Sequence, residues 1–377
     1  MKILEVTNVD FSLRQFLLPL MCGLKDRGHE VIGVCADGAL LQDVREKGFR
    51  VIALPFARSY SPIKQWHAFW SLYHLIKTEK PDLVHGHMPI SGLLARWAAF
   101  LNGTPYIAYT CHGYLFNQAG KGIKSWLRRL LSLFLEWGTG KITDYYMTVS
   151  KEEAQDAKRF FIHSHPIAVG NGRDPERFRP DITMRQQIRK QLQVSEDRIV
   201  ILVVSRLVRH KGYPELLAAM AALKNAFPKI ELWIVGKRLN SDHGQKLEAC
   251  FQKAQNRLGD HLRFLGYRDD VNHLMAAADI FVLPSHFEGL PMSIIEAMLS
   301  GLPVISTTIR GPREQVFHQK TGLLVPPASA GSLAKALALM ISNPQLRKKM
   351  GMAGREYALR HYTEHQAISR TMNALHL

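Results

Sequence analysis

Residues 280–298 read IFVLPSHFEGLPMSIIEAM. The apolar run Ile280 to Leu283 has the length and composition of a buried strand. Pro284 to Leu290 is a loop, and a helix is expected to start near Pro291, since proline suits the first helical position. A strand that passes through a short loop into a helix is half of a βαβ unit. It also sets free backbone N–H groups and a positive dipole end at the carboxyl end of the strand, where anions bind. Glu288 stands in the loop, and Glu296 one turn into the helix, reaching back toward the same place. Two acids on a capped helix are ordinarily surface groups. Two acids framing Gly289, Leu290, Pro291 and Met292 at a strand-to-helix turn are a more specific arrangement, able to accept pairs of hydroxyls.

The same rhythm extends in both directions. Before residue 170, strand signals at Lys2–Thr7, Glu30–Cys35, Arg50–Leu54, Asp82–His85, Tyr106–Thr110 and Tyr145–Val149 alternate with helical ones. The alternation predicts a parallel sheet. The turn-rich Gly170-Asn171-Gly172-Arg173-Asp174-Pro175 breaks the series. A second one follows, with strands at Arg198–Val204, Ile230–Val235, Leu262–Leu265, Ile280–Leu283, Pro303–Ser306 and Gly322–Val325. The reading is α/β: two Rossmann-like doubly wound domains, 1–175 and 176–360, with a C-terminal helix about 360–377 returning to the first. The cleft between two such domains is the default site.

The chain has 377 residues, 46% hydrophobic and 21% charged, which excludes a disordered protein. Its four cysteines are scattered without a C-x-x-C pair, which fits a reducing compartment. No apolar stretch reaches the roughly 18 residues of a membrane span. Glu5, Asp10 and Arg14 interrupt any signal-peptide core, so the segment reads as a first buried strand and the domain is expected to start at residue 1. The net charge of +17 points to anionic partners: nucleic acid, acidic membrane or phosphorylated small molecules.

Ser205-Arg206-Leu207-Val208-Arg209-His210-Lys211-Gly212 follows the first strand of the second series. Arg206 offers a planar fork of donors and Lys211 a point charge, and both precede a helix at a strand's carboxyl end. Together they can converge on one diphosphate. Segment 120–137 stands apart. Lys121, Lys124, Arg128 and Arg129 cluster at its start, with a broad apolar stripe containing Trp126. Most of that stripe reads as a core helix with a solvated cationic edge, although its width leaves contact with a membrane interface open.

With these motifs in place, the chain resembles the retaining glycosyltransferases of family 4, which have the GT-B fold. The likeness covers nearly the whole length. It rests on S-R-L-V-x-x-K-G, on E-G-L-P-x-S-x-x-E-A, and on Gly170-Asn171-Gly172, Phe264-Leu265-Gly266-Tyr267 and Gly301-Leu302-Pro303. The resemblance implies a nucleotide-sugar donor, UDP-linked, and no cofactor. It implies that Glu288 faces the donor sugar, Glu296 the ribose, and Arg206 and Lys211 the diphosphate. Gly266, Tyr267 and Arg268 would lie near the base, and Gly289, Leu290, Pro291 and Met292 along the donor. His112, in Thr110-Cys111-His112-Gly113, would approach the transferred sugar from the first domain.

The implied mechanism is front-face transfer with retention, the departing phosphate taking the acceptor proton and Arg206, Lys211 and the helix N-terminus stabilising its charge. The sequence holds no D-x-D and no H-E-x-x-H, and no catalytic metal is expected. His85-Gly86-His87 reads as a strand-end turn without a carboxylate partner. One departure from the family is the first loop, Thr7 to Arg14, which lacks the usual glycine pair, so that Asn8 or Arg14 stands in for it. That loop and the Cys111-His112-Gly113-Tyr114 stretch resemble the capsule, exopolysaccharide and O-antigen branch. The implied acceptor is a polyprenyl-diphosphate-linked saccharide at the inner face of the cytoplasmic membrane, the anionic surface being met by the 120–137 segment. A soluble acceptor is the alternative. A nucleic-acid-binding protein is disfavoured, because no recognition motif accompanies the charge.

Overall fold

The computed structural model describes residues 1–57, 61–117, 122–238, 242 and 247–377. They form two compact units, Met1–Gly170 with Ala367–Leu377, and Asn171–Gln366. The first division falls slightly before the turn-based expectation, for a physical reason. Arg173 N–H donates to Tyr362 O at 3.0 Å, and Glu364 N–H donates back to Arg173 O at 2.9 Å. The segment from Asn171 is thus stitched to the end of the second unit. The last helix, Glu364–Ala374, begins in the second unit, and its residues from Ala367 belong to the first.

In the first unit the strands are β1 (Lys2–Val6), β2 (Glu30–Cys35), β3 (Arg50–Ala53), β4 (Leu83–His87), β5 (Tyr106–Cys111), β6 (Tyr145–Thr148) and β7 (Ile167–Ala168). All pair in parallel, in the order β3-β2-β1-β4-β5-β6-β7. The two-residue β7 is too short to leave a periodic signal. In the second unit β8 (Ile199–Val204), β9 (Ile230–Val235), β10 (Leu262–Gly266), β11 (Ile280–Leu283), β12 (Val304–Thr307) and β13 (Gly322–Val325) pair in the order β10-β9-β8-β11-β12-β13, also in parallel. Each order reverses direction once, at β1/β4 and at β8/β11. Ligands of open α/β sheets lie outside the strand ends at such reversals.

Both faces of the first sheet are covered, so its strands are largely apolar, with Glu5, His85 and His87 as polar exceptions. Ile3, Leu13, Met21, Leu83 and Met147 fill one side of the first sheet, together with Met372 and Leu375 from the last helix and the residues after it. Leu4, Val6, Ile32, Val84 and Ala98 fill the other. The first loop contains no glycine because a helix starts at once, at Asp10. It widens into a π turn at Leu13–Leu17 before continuing as Leu18–Asp26. Pro19 explains the widening: it lacks an N–H, and its ring crowds the carbonyl four residues back.

Segment 120–137 departs from the core-helix expectation. Its helix spans Ile123–Gly140, with Lys121 outside the described residues. Ile123 is 78% exposed, Phe134 66% and Leu131 58%. The side that packs inward is polar. Glu136 is buried and accepts hydrogen bonds from Arg96 Nη1 at 2.9 Å and Tyr146 OH at 2.7 Å. Arg96 is itself fully buried, its guanidinium 3.7 Å from the centre of the Tyr109 ring. Removing one member of a buried ion pair strands the other charge, at a cost of about 3–5 kcal/mol. Glu136→Ala should therefore lower unfolding stability by that amount, and Glu136→Gln, which keeps a hydrogen-bond acceptor, by less. A denaturant midpoint unchanged in the alanine variant would refute this account of the helix's anchor.

Candidate active site

The reversal in the second unit brings two loops together. One follows β8 and holds Ser205 to Gly212; the other follows β11 and holds Pro284 to Pro291. His286 N–H donates to His210 O at 2.7 Å, which zips them. A Cβ on Gly212, whose φ is +78°, would lie 2.0 Å from Pro284 O, so no other residue fits there. Across this seam the Lys211 ammonium lies 2.5 Å from Glu288 Oε1, which also accepts from Ser285 Oγ at 2.6 Å. Both charged side chains are mostly buried, at 13% and 9% exposure. The next backbone stretch is equally tight: a Cβ on Gly311 would fall 1.6 Å from Gly289 O.

The helix after this loop is Met292–Leu299. Pro291 precedes it with an extended backbone (φ −65°, ψ 123°) and is not its first residue, as the sequence had suggested. The Pro291 carbonyl accepts from Gln315 Nε2 at 3.1 Å. The buried Leu290 offers its carbonyl to Asn171 Nδ2 at 2.8 Å. Glu296, fifth in the helix, is buried and held by Arg173 Nε at 2.7 Å.

Arg206 is exposed, its guanidinium paired with Asp242. His210, between the two cations, is held neutral: burial, then Lys211 and Arg206, lower its pKa to about 4. Gly266 ends β10 with φ +66°, and its carbonyl accepts from Gly236 N at 2.8 Å. Tyr267 is exposed, with Lys237 Nζ 4.4 Å from its ring centre. Arg268 grips Asp270 with two hydrogen bonds, at 2.7 and 2.5 Å.

In the first unit the carboxyl ends of β1, β4 and β5 carry a second polar cluster. The register pairs Glu5 with His85, and His87 with Thr110. Side chains alternate along a strand, so Glu5, His85, His87 and Thr110 share one face. Glu5 Oε1 lies 3.1 Å from His85 Nδ1, and Glu5 Oε2 lies 2.6 Å from His87 Nε2. His85 Nε2 meets Thr110 Oγ1 at 2.8 Å, and His87 Nδ1 meets His112 Nε2 at 3.3 Å. This corrects the reading of His85 and His87: they lie within β4 itself, and Glu5 is their carboxylate partner. Burial opposes ionisation of Glu5, but His85 and His87 outweigh it and hold its pKa at about 2. Burial, with the neighbouring histidines, lowers His87 to about 4 and His112 to about 3.

The ligating atoms of Glu5, His85 and His87 lie within 4.8 Å of one another, so the trio has the composition of a metal site. Two ligands of a tetrahedral zinc stand roughly 3.3 Å apart, the edge set by bonds of about 2.0 Å. The 2.6 Å contact between Glu5 and His87 is shorter and is a hydrogen bond. Of the first-loop candidates, Asn8 keeps a buried Oδ1 with no hydrogen-bond partner, and Arg14 is paired with Asp43.

The exposed apolar face is wider than the sequence indicated. Besides the stripe on Ile123–Gly140, it includes Ile63, Trp66 and Trp70 on the helix Pro62–Glu79, and Trp97 and Phe100 on Pro89–Leu101. The middle helix of the three packs against both others. Lys124 and Arg128 are exposed at the start of the Ile123–Gly140 helix, and Arg129 is half-buried. Sequence reading also passed over Glu5, Arg173, Ser285 and Asp242. Glu5 alone left a mark, as a charge inside an apolar strand.

Residues 184–357 match the model of the glycosyl transferases group 1, and residues 13–172 that of the glycosyl transferase 4-like domain. EpsD of Bacillus subtilis (strain 168), which carries a glycosyltransferase name, is 31% identical over 369 residues, covering 95% of this chain and 92% of EpsD. The UDP-Gal:alpha-D-GlcNAc-diphosphoundecaprenol alpha-1,3-galactosyltransferase of Escherichia coli is 31% identical over 332 residues, covering 86% of this chain and 82% of that enzyme. Among solved structures, Anabaena HepE in complex with UDP aligns with a TM-score of 0.82 over 100% of this chain and 99% of HepE. At 20% identity that likeness concerns the fold. The chain belongs to the group 1 glycosyltransferases of family 4, sugar-transferring enzymes of the GT-B fold related to those that build polysaccharides on polyprenyl-diphosphate sugars.

Proposed function

We propose that the protein moves a sugar, with retention at its anomeric carbon, from a UDP-sugar to a saccharide carried on a polyprenyl diphosphate. The reaction takes place at the inner face of the cytoplasmic membrane and uses no catalytic metal. The observation that carries the donor site is the Ser285–Glu288–Lys211 cluster, a mostly buried ammonium and carboxylate clamped at the sheet reversal. The UDP of the E. coli relative's donor and of the HepE complex supports the nucleotide. The diphosphoundecaprenol of the same relative supports the acceptor.

In this reading the donor diphosphate meets Lys211, Arg206 and the first N–H groups of Met292–Leu299. Lys211 exchanges its carboxylate for phosphate, and Glu288 turns its freed oxygen to the sugar hydroxyls. Glu296 takes the ribose, with Arg173 fixing its rotamer. Tyr267 and Arg268 stand beside the base. As the anomeric C–O bond stretches, negative charge grows on the leaving phosphate. The two cations and the helix terminus stabilise that charge more than they stabilise the intact donor. The leaving phosphate oxygen accepts the proton of the attacking hydroxyl, so no protein base and no metal is required. His112 stands near the transferred sugar.

The exposed stripe of Ile123–Gly140 serves the acceptor. Apolar side chains with Trp126 enter the interface, and Lys124, Arg128 and Arg129 meet anionic headgroups at about 1 kcal/mol each. The net charge of +17 is thereby matched to lipid and diphosphate and not to nucleic acid.

A melting screen against UDP, GDP and ADP is expected to show a rise with UDP alone, unchanged by EDTA, since a ligand of the native state stabilises it by mass action. Lys211→Ala should reduce turnover by roughly 10²–10³, the effect of losing a partner to transition-state charge. Glu296→Ala should chiefly weaken nucleotide binding. Near-parental turnover in the Lys211 variant would overturn the diphosphate assignment. In flotation with vesicles, the protein should bind phosphatidylglycerol-containing membranes and not neutral ones, and the double substitution L131S and F134S should abolish binding. Equal flotation of the variant would exclude this helix as the docking surface.

A further inference from the structure

We infer that Glu5 and His87 are positioning residues for His112: a buried carboxylate–imidazole–imidazole chain fixes which ring nitrogen of His112 carries its proton. The inference rests on the reading that His112 lies near the transferred sugar, but its first test does not.

The argument is an accounting of protons. Ionised Glu5 can only accept hydrogen bonds. Its two oxygens are met by His85 Nδ1 and His87 Nε2, so both of those nitrogens carry protons. A neutral His87 then has a bare Nδ1. That atom faces His112 Nε2 at 3.3 Å, so His112 must be the donor. His112 Nε2 is protonated, and its Nδ1 is left as the acceptor. On its other side, His85 Nε2 lies 2.8 Å from the Thr110 hydroxyl. With the opposite tautomer of His112, two lone pairs would face each other beside a buried carboxylate. The depressed basicity of His87 and His112 agrees with both rings being neutral.

The chain is also rigid. Glu5, His85 and His87 are all buried, on paired strands of one sheet, and the His85 and His87 rings pack with centroids 3.9 Å apart. Phe16 lies against His112, with ring centroids 6.4 Å apart. An imidazole held in one tautomer and one plane meets a sugar hydroxyl as an acceptor only. Partners behind a metal-ligating histidine change activity by about 10- to 100-fold when replaced, and the same scale is expected of a partner that orients His112.

The test is nitrogen-15 NMR of the full-length protein labelled at histidine, with the His112 ring assigned by its loss in His112→Asn. The expected spectrum at neutral pH shows a protonated Nε2 and a bare Nδ1. A protonated Nδ1 would overturn the inference whatever the enzyme's substrate. The second measurement uses His87→Phe, which keeps the ring volume and removes both nitrogens. His112 should then sample both tautomers. Turnover should fall 10- to 100-fold, while KM for the nucleotide-sugar changes less than about threefold. If that variant misfolds, the parental spectrum still decides. An unchanged tautomer or unchanged turnover in a folded His87→Phe would overturn the positioning role. A correct tautomer in a protein that transfers no sugar from any nucleotide would instead refute the proposed function and leave the proton chain standing.

Discussion

The second unit is organised by the pairing of β8 with β11, two strands distant in sequence and adjacent in space. Crossovers leaving a parallel sheet on either side of such a pair diverge, so the loops that begin them stand side by side with little above them. Here the loops come closer than side chains allow. The backbone of one passes over the Pro284 carbonyl of the other, with a glycine at the crossing. That crossing places Lys211 opposite Glu288, lets His286 bond to the His210 carbonyl, and delivers the chain to the start of Met292–Leu299. Side chains from Asn171, Arg173 and Gln315 then fasten the carbonyls and the carboxylate that follow.

The first unit solves a different problem. It buries full charges, and each has hydrogen-bonding partners: Glu5 between two histidines, Arg96 between Glu136, the Gly92 carbonyl and the Tyr109 ring. Burial of an ion is tolerable only on such terms. The consequence at the surface is an inversion of the usual amphipathic order. The helix Ile123–Gly140 turns Glu136 and Thr139 inward and presents its leucines and tryptophans outward. Along most of its length little apolar burial holds it to the unit; the ion pair with Arg96 of the helix Pro89–Leu101 and the hydrogen bond from Tyr146 of β6 do.

Much of this was legible in the chain. The strands announced themselves because parallel strands covered on both faces are continuous apolar runs. The loops announced themselves because glycine and proline are needed where backbones cross. What stayed hidden depends on three-dimensional register. Glu5 and His87 are 82 positions apart in the chain and meet only because β1 pairs with β4. Arg173 reaches Glu296 across 123 positions. The 3.6-residue pattern of Ile123–Gly140 was visible, but periodicity gives the existence of an apolar face and not its direction. The buried acid among the leucines was the clue, since an inward face must satisfy it. Pro291 shows the limit of boundary rules: an extended residue and a first helical residue have the same φ, and ψ separates them.

The last helix has a consequence for how the protein is made. Met372, Ala374 and Leu375 are buried in the interior of the first unit, beside strands that precede them by more than 200 positions. A ribosome releases β1 to β7 first, and the whole second unit can emerge and fold before those three side chains exist. During that interval the helix Leu18–Asp26 stands with an open groove along Gly23, where Ile368 and Met372 later sit. The first unit therefore completes its packing only after the whole of the second has been made. Translation arrested just after Gln366 would leave a finished second unit joined to a first unit whose interior is still wet.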